Sequence, residues 1–369
     1  MPAVGNLRSA DRERVVREVN GMRPKSYRAT MLSLLPFAVM AVVTVADLAV
    51  GPAVVFLPLV SLGPAFAPLV GSWRRTAAVG GVALLLCAAL GWYNGLLYTP
   101  RGWMSIASVL GVTGAGLLAV SLRQEREVEL DHVRSIAETA QRALLRPVPR
   151  TTGGVRMAVC YMSAVAEARI GGDLYEVVTS PHGVRVIVGD VQGKGLEAVE
   201  TAAVVLGTFR EACLNEVDLA AVGSRLERAV ERQLDDEKFV TAVLAEVADE
   251  EVTFLNYGHP APLLMSGDGT LTWPEPDSYA LPLGLGAHNA SPPKPYRAGF
   301  LSGDDLLLYT DGLTEARDAE GRFYPLAERA HLLKGRDPEA ALRALRQDLL
   351  QHISGPLQDD TALLMLRHS

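Results

Sequence analysis

The chain has 369 residues, 49% of them hydrophobic, and a formal net charge of −7. That length accommodates two or more domains, and the acidic balance leaves no basic footprint for nucleic acid. Three cysteines (Cys87, Cys160 and Cys213) cannot build a disulfide framework, and none is followed by arginine six positions on, which excludes a C-x5-R phosphate loop.

Taken in chain order, residues 1–30 form a basic arm with Arg8, Arg12, Arg14, Arg17, Arg23, Lys25 and Arg28. Between Met31 and Val120 the charged residues are only Asp47, Arg74, Arg75 and Arg101. Four apolar stretches in this part, 31–50, 53–70, 77–98 and 104–120, approach the ~20 residues that a bilayer-crossing helix needs. Mostly polar residues precede the first stretch, which argues against a cleaved signal peptide. Basic residues favour the cytoplasmic side. The arm, Arg74–Arg75 and Arg123 with Arg126 fall on one side of such a bundle, whereas the connection near Gly51 has none and the third has only Arg101. An α-helical membrane domain of four spans over 31–120, in the cell membrane with both of its flanks cytoplasmic, is expected. Asp47, the lone acid in a span, is expected near the outer interface, the alternative being a ligand or proton site.

Residues 121–149 read as a linker helix, charged throughout and stopped by Pro147 and Pro149. Leu130, Val133, Ala137, Ala140 and Leu144 recur at spacings of three and four, a short heptad seam. It fits either a pairing with a second copy of the chain or a monomeric amphipathic helix. His132 invites comparison with a phosphoacceptor histidine, yet no D-x-G-x-G nucleotide loop follows; "YTDGLTE" has Leu313 where the second glycine belongs.

From Gly154 the pattern turns to short β-type runs: "VRMAVCYM", "VRVIVGD", "FVTAVLAEV", "EVTFLNYG", "PLLMSG" and "DLLLYTDG". Helical blocks are expected near Gly195–Glu216, Leu219–Asp236 and Pro338–Ile353. Strands divided by turn signals and covered by helices give an α+β domain over 150–369.

The loop in "GDVQGKGLEA" is ambiguous by itself. Gly193, Gly195 and Ala198 satisfy G-x-G-x-x-G/A, and Gly193-Lys194 hints at a P-loop. A P-loop, however, would need glycine at Val188 and Ser or Thr at Gly195. A dinucleotide fold would need a second parallel strand after the helix, where a second helix is expected instead. Asp190 in this loop belongs to a different pattern. Asp173, Asp190, Asp311 and the pair Asp359–Asp360 each sit beside glycine or at the edge of an apolar run. Each alone is compatible with an ordinary turn residue. Converging, such carboxylates would need cations, and an oxygen-only donor set without a His/Cys cluster suits Mg2+ or Mn2+.

The ordered set "IGGDLYE", "GDVQGKGLEA", "FVTAVLAEV", "NYGHPAPLL", "LPLGLG", "LSGDDLLLYTDGLTEARD" and "DDTALLMLR" resembles the SpoIIE/RsbU-type branch of the metal-dependent PPM (protein phosphatase 2C-like) serine/threonine phosphatases. The likeness runs from about Arg142 to Arg367 and does not include the apolar part. It implies a β-sandwich flanked by helices with two Mn2+ or Mg2+ ions at one end. By motif, Asp190 would bridge both ions, Asp173 and the Val191 carbonyl would hold one, and Asp311 and Asp359 the other. Asp190 and Asp173 would thus be the catalytic carboxylates. The substrate implied is a phosphoserine or phosphothreonine protein, such as a STAS-type anti-sigma-factor antagonist in a partner-switching pathway. A homodimer through the linker helix and the phosphatase domain, or a catalytically weak signalling module of the same fold, are further implications. Departures from the pattern are Glu176, where Asp is usual, and Tyr257, where a small residue precedes Gly-His. His259 reads as a turn-stabilising residue or as a residue of the site's edge.

Overall fold

The computed structural model describes residues 27–369 apart from 51–56, 70, 164–170, 234–237, 287–291 and 336. The basic side chains of the 1–30 arm and the connection at Gly51 lie outside the described residues. The chain packs as two compact units, Met1–Leu130 and Asp131–Ser369.

The first unit is helical: α1 (Tyr27–Val50), a short α2 (Leu62–Phe66) between two 3-10 turns, α3 (Trp73–Tyr93) and α4 (Pro100–Leu144), which runs on into the second unit. Among the described residues, two helical stretches are long and apolar enough to cross a bilayer, Trp73–Tyr93 and Pro100–Leu130, while the apolar part of α1 is the shorter Ser33–Ala49. The described part of the expected span at 53–70 is a short apolar helix, Leu57–Leu69, which is 3-10 at Leu57–Ser61 and Ala67–Leu69 and α at Leu62–Phe66; Pro64 and Pro68 supply it no amide hydrogen. Asp47 is buried and accepts a hydrogen bond from Asn94 Nδ2 at 2.7 Å, so its carboxylate is held by a neighbouring helix end.

On α4 the heptad seam divides. Ala140 and Leu144 pack against Val199 of the same unit, whereas Leu130 and Val133 remain exposed. The stretch open to a second copy is therefore shorter than the sequence pattern.

The second unit is a sandwich of two antiparallel sheets. One has the order β1-β2-β11-β10-β7-β8 and the other β3-β4-β5-β6-β9. The strands are β1 (Thr151–Thr152), β2 (Val155–Met162), β3 (Asp173–Ser180), β4 (Gly183–Val191), β5 (Val240–Ala248), β6 (Glu251–Tyr257), β7 (Leu263–Met265), β8 (Leu271–Thr272), β9 (Tyr296–Gly299), β10 (Asp305–Tyr309) and β11 (Thr361–His368). Successive residues of a strand face opposite sides of its sheet. Val186 and Val188 accordingly enter the core between the sheets with Leu306, Leu308, Leu364 and Leu366. Ile187 points the other way, under helices α5 (Leu196–Asn215) and α6 (Leu219–Gln233), against Phe209 and Leu226. On the far side of the first sheet, Leu307, Leu363 and Met365 meet Leu342, Leu345 and Leu349. These belong to α9 (Pro338–His352), which follows the short helices α7 (Asp311–Thr314) and α8 (Leu326–Arg329). Both faces of each sheet are covered, which is why the central strands read as unbroken apolar runs. The three long helices fall within a few residues of their sequence-based positions. β3 was not foreseen, since "DLYEVVTS" mixes polar and apolar residues on both faces.

Buried charge also lies within this apolar frame. Arg185 on β4 is fully buried. Its guanidinium donates to Glu246 Oε2 at 2.5 Å and to the carbonyls of Cys213, Glu216 and Val217 at 2.7–3.0 Å. It satisfies orphan carbonyls at the end of α5 that would otherwise be buried without donors. Arg185→Met should lower the unfolding free energy by about 3–5 kcal/mol in urea titration, because Glu246 and the carbonyls lose their donor together. Glu246→Gln should cost less.

Candidate active site

Sheet register decides which carboxylates meet. Asp173 opens β3 and pairs directly with Asp190 near the end of β4. On the other sheet β10 ends at Tyr309 opposite Leu363 of β11. Thr310 then donates its amide to the Ala362 carbonyl at 3.1 Å. Asp311 follows as the first residue of α7, and Asp359–Asp360 immediately precede β11. Four strand ends, two from each sheet, thus present acids at one end of the sandwich.

Glycine clears the space between them. A Cβ on Gly172 would overlap the Val191 carbonyl and crowd Asp190, and one on Gly171 would overlap the Asp360 carboxylate. The two sheets are also joined here by hydrogen bonds. Thr310 Oγ1 donates to Asp173 Oδ2 at 2.7 Å and accepts from the Ala362 amide at 2.9 Å.

Asp173, Asp190 and Asp311 hold protons more tightly than isolated carboxylates. Burial, then the facing Asp190, push Asp173 well above the usual range against the opposing Thr310 bond. Asp190 is pushed up to about 7 by burial and by Asp311 and Asp359, with Lys194 acting in the other direction. Asp311 rises for the same reasons, burial first, then Glu315 and Asp359. Each added negative charge raises the cost of ionising the next, so the set favours a cation. The donor chemistry, carboxylate and backbone oxygen, is that of Mg2+ or Mn2+. Among the described residues, no three acidic, imidazole or thiol side chains converge into a ready-made ion cage. Asp359 is half exposed and its Oδ1 is held by Lys194 Nζ at 2.7 Å. The lysine of the glycine loop therefore reaches a carboxylate rather than marking a P-loop. Gly193 and Gly195, both at positive φ (101° and 90°), turn the chain between Val191 and the start of α5.

The structure adds residues that sequence reasoning did not assign. Asp360 is buried, with Oδ2 accepting from the Tyr161 hydroxyl at 2.5 Å and Oδ1 from Ser163 at 3.3 Å. The adjacent acids thus differ in role, and nothing in "QDDT" says which faces inward. Thr310 had one usable signal, a hydroxyl next to Asp311; Tyr161 had none. Glu176 is paired with Arg210, whose Nε donates to it at 2.6 Å, away from the carboxylates of the other motifs. A cleft of about 920 Å3 opens beside Asp359, lined also by Gly312, Glu315, Arg317, Ser354 and Gln358.

His259 is a clasp between sheets. It is buried; its Nε2 lies 3.1 Å from the Tyr309 carbonyl and its Nδ1 3.0 Å from Thr241 Oγ1. A carbonyl only accepts, so Nε2 carries the proton and Nδ1 accepts from threonine. Thr241 is the register partner of Asp190.

The family model described as Stage II sporulation protein E (SpoIIE) matches residues 180–369. That stretch holds Asp190, Val191, Asp311 and Asp359, while Asp173 precedes it. Phosphoserine phosphatase RsbU of Bacillus subtilis is 25% identical over 210 residues, covering 55% of this chain and 61% of that protein. The chain therefore spans about 61% of the length of this curated relative. Among solved structures, the SiaA-PP2C domain of Pseudomonas aeruginosa aligns with a TM-score of 0.55 at 19% identity, over 66% of this chain and 99% of that one. The RsbU and RsbW domains of Rv1364c from Mycobacterium tuberculosis align with a TM-score of 0.51 at 24% identity, over 59% and 61% of the two chains. Both structural likenesses establish the sandwich fold.

Burial pushes the His259 imidazole down to about 3 from its ordinary 6.5, so the folded state favours the neutral ring. Its stabilising contribution is complete above pH 6.5 and is lost as pH falls toward 3. His259→Ala should cost roughly 1–3 kcal/mol near pH 7.5 through the stranded Thr241 and Tyr309 partners. In unfolding measurements the gap between wild type and variant should narrow at pH 5.

Proposed function

We propose, for a chain that belongs to the SpoIIE family of PPM-type serine/threonine phosphatases, that the sandwich unit hydrolyses phosphoserine or phosphothreonine on a protein. The observation that carries this is the presentation of Asp173, Asp190, Asp311 and Asp359 from four strand ends at one end of the sandwich, with proton affinity raised at Asp173, Asp190 and Asp311. Asp173 and the Val191 carbonyl would hold one Mn2+ or Mg2+ ion, Asp311 and Asp359 a second, and Asp190 both. When bound, the ions neutralise phosphoryl oxygens and lower the pKa of water for in-line attack on phosphorus.

The chain's own residues prepare that site. Thr310 fixes one oxygen of Asp173. The Asp173–Asp190 register holds two ligands on rigid backbone. The cleft along Arg317 and Gln358 gives a protein substrate a surface beside the acids. The products are a free side-chain hydroxyl and inorganic phosphate.

The substrate proposed is a STAS-type anti-sigma-factor antagonist in a partner-switching pathway, supported by the likeness to a phosphoserine phosphatase. The helical unit is proposed to anchor the enzyme in the cell membrane with four passes and the sandwich on the cytoplasmic side. Support comes from the two long apolar helices and the basic flanks. A second reading, a weak or inactive signalling module of the same fold, is favoured by one observation: Lys194 already neutralises Asp359.

The whole chain, purified in detergent, should hydrolyse p-nitrophenyl phosphate with Mn2+ and lose that activity on chelation. Asp190→Asn should fall to the no-enzyme background. Equal inertness of wild type and variant at every Mn2+ concentration would sink the enzyme reading and leave the signalling module.

A further inference from the structure

A carboxylate cluster shared between two sheets works only if the gap between those sheets is fixed. Thr310 and His259 each cross it. A third crossing comes from outside the sandwich. Gln141, buried on the last full turn of α4, donates through Nε2 to the Tyr161 hydroxyl at 2.8 Å and to the Gly171 carbonyl at 3.1 Å. Tyr161 is the penultimate residue of β2 in one sheet, and Gly171 lies two residues before Asp173 of the other. One amide group thus spans both layers.

The direction of each bond follows from its partners. The Gly171 carbonyl only accepts, so the amide nitrogen faces it, and the same nitrogen must donate to the Tyr161 oxygen. The phenol hydrogen is then committed to Asp360 Oδ2, 2.5 Å away. Burial, together with Asp360 and Asp173, holds the phenol protonated as that donor. A chain of bonds runs from Gln141 through Tyr161 to Asp360, which itself faces Asp173 and Asp190. Donors arranged head to tail polarise one another, so removing any member weakens the rest.

The helix end that carries Gln141 is itself tied down. Arg210 Nη2 donates to the Leu144 carbonyl at 2.9 Å, while its Nε holds Glu176 on β3. Ala140 and Leu144 rest on Val199 of α5, the helix that follows the Asp190 loop. Gln141 therefore sits on a rigid support and cannot be displaced without moving elements that flank the acids.

We infer that Gln141 and Tyr161 are positioning residues for the acidic site. Together they set the spacing between the strand end bearing Asp173 and the turn bearing Asp359–Asp360, and with it the affinity for divalent cation. The inference rests on the phosphatase reading.

The test is Mn2+ binding by titration calorimetry to the whole chain in detergent, alongside p-nitrophenyl phosphate hydrolysis and thermal unfolding. Gln141→Leu and Tyr161→Phe should each weaken Mn2+ binding by about 10–100-fold, the range seen when groups supporting metal ligands are removed. The double variant should be no weaker than the more affected single one, because both break the same chain of bonds. His132→Gln, exposed on the same helix, should leave binding unchanged. Saturating Mn2+ should restore much of the variants' activity. Unchanged Mn2+ affinity in folded variants, or losses that multiply in the double variant, would overturn the inference while wild-type turnover upholds the enzyme. A wild type that neither binds Mn2+ nor turns over would overturn both.

Discussion

Mutual repulsion among carboxylates is the constraint on which the rest of the second unit depends. Asp173 and Asp190 are adjacent across a ladder, and Asp311, Asp359 and Asp360 approach from the opposite sheet. Left to itself, that end of the sandwich would splay. The two layers are held there by polar clasps: Thr310 on Asp173, His259 between Thr241 and Tyr309, and Gln141 between Tyr161 and Gly171. Each crossing is short, specific and buried, which makes it strong in a low-dielectric setting and costly to break.

The apolar layers make such an arrangement tolerable. Three packed clusters, one between the sheets and one under each helical cover, fix the strands in register. Strand ends are then rigid platforms, and a side chain placed on one is positioned by packing far from the charge. Arg185 shows the same logic at the opposite pole of β4, where a buried cation finishes the carbonyls that end α5. Glycines do the complementary work at the acidic end: at Gly171 and Gly172, any side chain would overlap a carboxylate or a carbonyl.

Much of this was legible in the chain. Periodicity located the three long helices of the second unit, and the central strands were visible as apolar runs because both faces of each sheet are covered. The aspartates stood out through their glycine neighbours and their order. The change between 3-10 and α-helix within Leu57–Leu69 was not legible as such, because hydropathy is blind to the missing amide hydrogens of its prolines. β3 escaped notice for the opposite reason: its polar residues, Asp173 and Glu176, are buried against partners that only the fold supplies. The heptad seam was real as a pattern, yet Ala140 and Leu144 are spent within their own unit.

The sequence by itself determined the composition of the site, an oxygen-only set of aspartates at the edges of apolar strands, and the α+β order that carries it. Those properties are local, encoded in residue type, spacing and periodicity. Only the tertiary structure decided which acid of the Asp359–Asp360 pair turns inward, that Lys194 reaches Asp359, and that Gln141 bonds Tyr161, Tyr161 bonds Asp360 and Thr310 bonds Asp173. These are contacts between residues far apart in the chain and on different layers, and their geometry comes from sheet register and packing, which no local pattern specifies.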